Sequence, residues 1–264
     1  MKAAIALRSP DEIARARAAG ERAAAVLQMI APHVKAGVST LELDQRCHDF
    51  IVQELRCRPA NVGYHGFKHT LCTSVNATVC HGVPSARDVL KDGDIVNLDV
   101  ALVHEGWFGD TSRMYCVGTV SPAARQLVDS AYLAMRAGIL QVRPGATLGD
   151  VGHAIQAVTK QGGYTDVRDY GGHGIGTAYH TEPDVLSYGQ RGQGLRLQAG
   201  MIFTVEPMIN AGGRKVKLLK DGWTVVTADG SLSAQWEHMV AVTPQGFEVL
   251  TPWPEGCGDY PPIA

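Results

Sequence analysis

Hydrophobic and polar positions along the chain follow two periods, and the switches between them mark out the elements. Ser9-Pro10-Asp11-Glu12 combines an N-cap serine, a proline at the first helical position and a glutamate at N3. This capping box predicts an alanine-rich helix running to about Val34 and stopped by Gly37. A second box, Ser39-Thr40-Leu41-Glu42, predicts a helix with Leu41, Cys47, Phe50, Ile51 and Leu55 as its buried stripe. The β-branched residues between Cys72 and Cys80 predict an extended segment ending in the turn His81-Gly82-Val83-Pro84. Two further helices are expected, one from Ser121-Pro122 to before Gly145, the other from Thr147-Leu148-Gly149-Asp150 to near Gly162.

Between the second and third helices the period is two. Over Asp94–Arg113, Val96, Leu98, Val100 and Leu102 fall on one face, and Ile95, Asn97, Asp99, Ala101 and Val103 on the other, which predicts a β-hairpin. A turn at His104-Glu105 sets Asp99 directly opposite Asp110; a turn at Glu105-Gly106 sets them diagonally on the same face. In both registers two carboxylates converge among apolar neighbours. Opposed like charges at about 5 Å repel unless a cation or a proton intervenes. Unrelated acids on a solvated face are the commoner cause of such a pair, so the other ligands of a cation must come from elsewhere.

The order helix, helix, strands occurs twice. Val34-Lys35-Ala36-Gly37-Val38-Ser39-Thr40-Leu41 resembles Val142-Arg143-Pro144-Gly145-Ala146-Thr147-Leu148 with one residue dropped. His81, Pro84, Leu90, Gly93, Ile95 and Asp99 then match His180, Pro183, Leu197, Gly200, Ile202 and Glu206 in order, with identical spacing from Leu90 onward. A repeat of this length is too long for a solenoid unit and predicts one catalytic domain over 1–264, made of duplicated α/β halves at about 9–120 and 121–245 with a site between them. Asp99 then has Glu206 as its counterpart. Residues 252–264, rich in Pro and Gly, are expected to form a loose tail or a strap.

Composition narrows the classes. The chain has 264 residues, a formal net charge of -2 and no block of like charges, which gives no electrostatic case for nucleic acid or an anionic membrane. No segment approaches the apolar run of about 20 residues that spans a bilayer, and a cytoplasmic location is expected. The cysteines, Cys47, Cys57, Cys72, Cys80, Cys116 and Cys257, show no CxxC spacing and are expected to be reduced. A cysteine hydrolase using Cys72 or Cys80 with His81 is disfavoured, because neighbouring side chains on a strand point apart.

The remaining chemistry is acidic. Gly171-Gly172-His173-Gly174-Ile175-Gly176 sets one imidazole among four glycines; Phe203-Thr204-Val205-Glu206-Pro207-Met208 and Ser233-Ala234-Gln235-Trp236-Glu237-His238 each carry an acid in an apolar strand. Each alone is more often structural. Four such acids and a histidine in a chain with 19% charged residues suit two divalent ions sharing carboxylates at a separation of about 3.5–4 Å.

Together, His81-Gly82-Val83-Pro84, Asp99, Gly106-Trp107-Phe108-Gly109-Asp110-Thr111-Ser112-Arg113, Gly172-His173-Gly174-Ile175-Gly176, Glu206-Pro207-Met208 and Gln235-Trp236-Glu237-His238 resemble type I methionine aminopeptidase, from the first helix to about Val242. The resemblance implies the pita-bread α/β fold, two pseudo-symmetric halves with the metal site between them. It implies two divalent ions, whose identity among Mn, Fe, Co and Zn the sequence does not fix. Asp99, Asp110, His173, Glu206 and Glu237 would be the ligands, Asp110 and Glu237 bridging, and Glu206 also the general base. His180 would polarise the scissile carbonyl and His81 would contact the amide nitrogen beyond it. The reaction implied is attack by metal-held hydroxide on the first peptide bond of nascent or peptide N-termini beginning with Met and followed by a small residue. Tyr64, Phe67, Cys72, Tyr179 and Trp223, with His81 and His180, would line the substrate pocket. Phe67, Lys68-His69, Tyr179 and Asn61 depart from the family's usual residues and bear on pocket shape and substrate preference, not on the metal ligands. A monomer with a transient ribosome contact is expected. An X-prolyl peptidase of the same fold, and a non-catalytic pita-bread protein that binds peptides or ribosomes, are the alternatives.

Overall fold

The structure is a computed structural model that describes residues 5–253 and 260–263. Helix α1 spans Pro10–Ile30: Ser9 Oγ accepts from the Glu12 amide and the Glu12 carboxylate accepts from the Ser9 amide, closing the capping box. A 3-10 turn, Ala31–His33, carries the chain out. Helix α2, Thr40–Asp49, repeats the box with Ser39 and Glu42 and runs on as a π-helical turn, Phe50–Glu54. Its buried row is Leu43, Cys47 and Ile51, whereas Leu41, expected inside, is 37% exposed. The entry to α2 is tied down by a bridge from Ser39 to Val89, and that anchoring turns Leu43 inward and Leu41 out.

Strands β1 (Arg58–Pro59), β2 (Leu71–Val75), β3 (Thr78–Cys80), β4 (Ile95–His104) and β5 (Trp107–Cys116) follow. β4 is the centre of an antiparallel sheet, with β1 and β2 along one edge and β5 along the other. His104 pairs with Trp107, so the turn is Glu105-Gly106, with φ of 48° and 83°. Two positive φ values make a type I′ turn, whose twist matches that of the strands. Asp99 therefore faces Ser112 while Asp110 faces Ala101, the diagonal of the two registers. Val96, Leu98, Val100 and Leu102 pack under α1 and α2 against Leu27, Ile30, Leu43 and Ile51, which leaves Asn97 and Asp99 on the opposite face.

Helices α3 (Pro122–Ile139) and α4 (Leu148–Gln161) begin the second half. The strands β6 (Thr165–Asp166), β7 (Gly172–Gly174), β8 (Thr181–Val185), β9 (Ile202–Val205), β10 (Met208–Asn210), β11 (Val216–Leu218), β12 (Val225–Thr227), β13 (Ser233–Gln235), β14 (His238–Thr243) and β15 (Gly246–Val249) complete the order. A five-stranded sheet, β15-β14-β9-β7-β8, and two three-stranded sheets, β13-β10-β6 and β11-β12-β3, result. Leu127, Met135, Ile139, Val151 and Ile155 of the helices pack on Phe203, Val205, Trp236 and Val240.

The matched positions of the two halves make matched bonds. The Gly37 amide donates to Leu90 O and Leu90 returns a bond to Val38 O; the Gly145 amide donates to Leu197 O and Leu197 returns one to Ala146 O. Gly93 and Gly200, three residues on in each case, have φ of 93° and 95°. At the seam, Ser112 of β5 bridges to Glu237, the Glu237 amide donates to Ser112 O, and Thr111 Oγ1 donates to Glu237 O. Trp253 and Ile263 are buried against the second core, and the Tyr132 and Tyr260 hydroxyls donate to Pro261 O and Asp129, so the described part of the predicted tail is a strap; 254–259 and 264 lie outside the described residues. Among the described residues no helix is long and apolar enough to cross a membrane.

Candidate metal centre

The alternation of β4 turns Asp99 toward the seam, and the diagonal register turns Asp110 of β5 to the same side. His173 comes from β7, where a Cβ on Gly172 would lie 2.2 Å from Thr204 O and one on Gly174 2.1 Å from Glu182 O. Only glycine fits at either flank, and the close approach brings the imidazole between the halves. Glu206 follows the end of β9, and Glu237 stands between β13 and β14. All five residues line one cavity of about 100 Å³.

Donor atoms of Asp110, His173 and Glu237 lie within 4.8 Å of one another. His173 Nε2 is 3.5 Å from Asp110 Oδ2 and 3.6 Å from Glu206 Oε1, while its Nδ1 is 3.2 Å from Gly174 O. A backbone carbonyl at Nδ1 fixes the proton there and aims the Nε2 lone pair at the carboxylates, as metal-ligating histidines require. Asp110 Oδ1 is buried without a hydrogen-bond partner. No lysine or arginine is among the lining residues.

Electrostatics point the same way. Burial, then the neighbouring carboxylates Asp110 and Glu206, push Asp99 well above the usual carboxylate range. Burial, then Asp110, Glu206 and Asp99, does the same to Glu237. Burial is also the main cause that raises Glu206, to about 7, with His173 opposing it. For His173, burial works downward, but the Asp110 hydrogen bond and the charges of Glu206 and Asp110 outweigh it and raise the imidazole. Carboxylates that can ionise together only against their mutual repulsion, an orphaned Asp110 oxygen and an oriented imidazole form a donor set that fits divalent cations.

The predicted pocket residues Tyr64, Phe67, Cys72, His81, Tyr179, His180 and Trp223 line the same cavity. Tyr64, Tyr179 and His180 form one aromatic wall, with ring centroids 5.0 Å apart for the tyrosines and 3.8 Å for Tyr179 and His180; Phe67 and Trp223, 4.9 Å apart, form another. The Tyr64 hydroxyl lies 2.8 Å from His180 Nδ1. Desolvation at the pocket mouth, then His173, pushes His180 down to about 4, although its outer edge stays in solvent; burial lowers His81 as well. Burial and the nearby Asp99 hold the Cys72 thiol protonated, so it is not a nucleophile.

Several site features escape sequence reading. His81 and His180, matched in order between the halves, share left-handed backbone conformations, with φ of 54° and 53°. Such conformations are costly for non-glycine residues and here turn each ring to the cavity from its half. Asn61 accepts from the Tyr179 hydroxyl, and Phe108 stacks on Tyr179. Asn97, Thr204 and Gln235 each precede an acid by two residues, Asn97 within β4 and the other two at the ends of β9 and β13, and all three are buried. That i−2 polar pattern is the signal by which a sequence would reveal them.

Comparison with known proteins places this architecture. Residues 14–244 match the model of metallopeptidase family M24. The methionine aminopeptidase of Rickettsia prowazekii is 50% identical over 259 residues, 98% of this chain and 99% of its own length, and that of Escherichia coli K12 is 48% identical over 252 residues, 94% of each. The crystal structure of the Rickettsia prowazekii methionine aminopeptidase superposes with a TM-score of 0.92 at 50% identity, covering 94% of this chain and all of that one. The chain has the pita-bread fold and belongs to metallopeptidase family M24, within it to the methionine aminopeptidases.

Proposed function

We propose that this chain removes N-terminal methionine from peptides and nascent proteins whose second residue is small, and that Asp99, Asp110, His173, Glu206 and Glu237 would hold two divalent ions for that reaction, with Asp110 and Glu237 as the ligands common to both. The observation that carries this reading is the convergence of four carboxylates and one oriented imidazole on a single cavity walled by aromatic residues and a thiol. Bound there, such ions supply Lewis-acid polarisation and a nucleophilic water at neutral pH.

The chain's own residues do the rest. Glu206, at the edge of the cavity beside the other carboxylates, takes the proton of the attacking water. His180 is neutral at pH 7, and the Tyr64 hydroxyl, kept protonated by burial, shares a hydrogen bond with its Nδ1 in which we assign Tyr64 as the donor. The imidazole proton is thereby on Nε2, where it donates to the scissile carbonyl oxygen as negative charge develops. His81, on the opposite half, meets the amide nitrogen that leaves. Tyr64, Phe67, Cys72, Tyr179 and Trp223 form the soft, aromatic surface that suits the unbranched thioether. Loss of His81 or His180 harms turnover more than metal content.

We read the two halves, 9–120 and 121–245, as an internal duplication and the chain as a cytoplasmic monomer that meets its substrates at or near the ribosome. Manganese, iron, cobalt and zinc all suit the donor set; metal analysis of freshly purified protein with an activity titration identifies the native ions. Metal-loaded protein is expected to release methionine from a Met-Ala-Ser peptide, and chelation to abolish the release. Preferential cleavage of Ala-Pro or Gly-Pro peptides would instead favour an X-prolyl peptidase, and no cleavage of any peptide a non-catalytic binder.

A further inference from the structure

Thr204 is fully buried on β9, the central strand of the five-stranded sheet, and its hydroxyl touches two residues of the candidate metal centre. Its Oγ1 donates to Glu206 Oε1 at 2.8 Å and accepts from the His173 amide at 3.0 Å. The pairing of β7 with β9 explains the second bond: it is confined to Gly174 and Phe203, and the register of β7 against β8 shifts between Gly172 and Gly174. At His173 a side-chain hydroxyl thus takes the place of a ladder carbonyl. The other Glu206 oxygen accepts from Gln235 Nε2 at 3.2 Å. Gln235 is anchored in turn, because its carbonyl accepts from Asn97 Nδ2 at 2.7 Å across the seam.

We propose that Thr204 is a positioning residue that sets Glu206 and His173 as one unit: its single hydroxyl, donor to one and acceptor from the other, fixes the distance between them. A hydroxyl with both its proton and a lone pair engaged cannot rotate without breaking one bond. Groups hydrogen-bonded to metal ligands typically govern metal affinity or activity by about 10–100-fold. The inference rests on the reading of Glu206 and His173 as metal ligands.

The test compares Thr204→Val, which keeps the shape and loses both bonds, with Thr204→Ser, which keeps the hydroxyl. For each, manganese affinity is titrated calorimetrically, kcat and KM are measured on Met-Ala-Ser at saturating manganese, and unfolding of the metal-free protein is followed. The expected result for Thr204→Val is a loss of about tenfold or more in manganese affinity and kcat, with KM within about threefold, and for Thr204→Ser recovery of both to within about threefold of the parent. Equal losses in the two variants would assign the effect to packing and overturn the proposal, as would parental affinity and kcat in Thr204→Val. If Thr204→Val does not fold, Thr204→Ala stands in its place and is judged against Thr204→Ser in the same way. The parent protein titrated alongside separates the two readings: absence of manganese binding by the parent sinks the ligand assignment itself, whereas parental binding with an unimpaired valine variant sinks only the role of Thr204.

Discussion

Glu237 shows how a single residue is committed by its surroundings. Its backbone is held at the seam by Ser112 and Thr111 from the other half, and its side chain is 2% exposed among Asp110, Glu206 and Asp99. Glu237→Ala is expected to lower bound metal and to reduce kcat/KM by more than about 100-fold, beyond what loss of a group behind a ligand costs. Full metal occupancy in that variant would refute the bridging role. Tyr64 acts at a smaller scale. Tyr64→Phe removes the donor at His180 Nδ1 and should lower kcat about tenfold, the size of one neutral hydrogen bond, without changing metal content. An unchanged kcat would exclude the tautomer assignment.

At the scale of elements, the site depends on how closely α1 approaches the hairpin. The inner face of α1 carries Ala16, Ala19, Gly20 and Ala23, all small and buried. A Cβ added at Gly109 of β5 would meet Ala19 O at 2.3 Å, and one at Gly20 would meet Leu250 O at 2.1 Å. These are backbone atoms, which cannot rotate away. Gly109→Ala should therefore force the helix off the strand that carries Asp110, at a cost of about 2 kcal/mol, seen as a fall of about 4–8 °C in the unfolding midpoint. A midpoint within 1 °C of the parent, to within about the error of the measurement, would mean the packing yields freely. The I′ turn is a second such device: Glu105 and Gly106 both take positive φ, and the turn they form selects the diagonal register. The register decides the site, because the direct one would press two ionised carboxylates together.

For the whole molecule the metal-free centre is a store of unfavourable charge. Glu206 is raised to about 7, and Asp99 and Glu237 are raised too. A carboxyl raised on folding stabilises fully below its unfolded value and loses that contribution as pH climbs through the folded one. The lowered histidines, His81, His180 at about 4 and His238 at about 3, run oppositely, but they are largely neutral in both states above about pH 7.5. His173, raised, runs with the carboxylates. Between about pH 7.5 and 8.5 the unfolding midpoint of metal-free protein should therefore fall with rising pH, and saturating manganese should flatten the slope, since a cation replaces the protons. Equal slopes with and without metal would overturn this account.

What the sequence by itself determined was local. Caps at Ser9, Ser39, Ser121 and Thr147 set where the helices start, and the alternation around Asp99 set the faces of β4, because both depend on neighbours within one turn or one pleat. The residues later found around the cavity were legible as unusual acids and glycine-flanked histidine, and the matched spacing around Asp99 and Glu206 was legible as repetition. Only the tertiary structure decided between the two hairpin registers, turned Leu43 rather than Leu41 inward, and joined Thr204 to His173 and Gln235 to Glu206. Those contacts link residues far apart in the chain, and their geometry follows from how β7 lies against β9 and how β13 meets β4 and β5 at the seam, which no local period encodes.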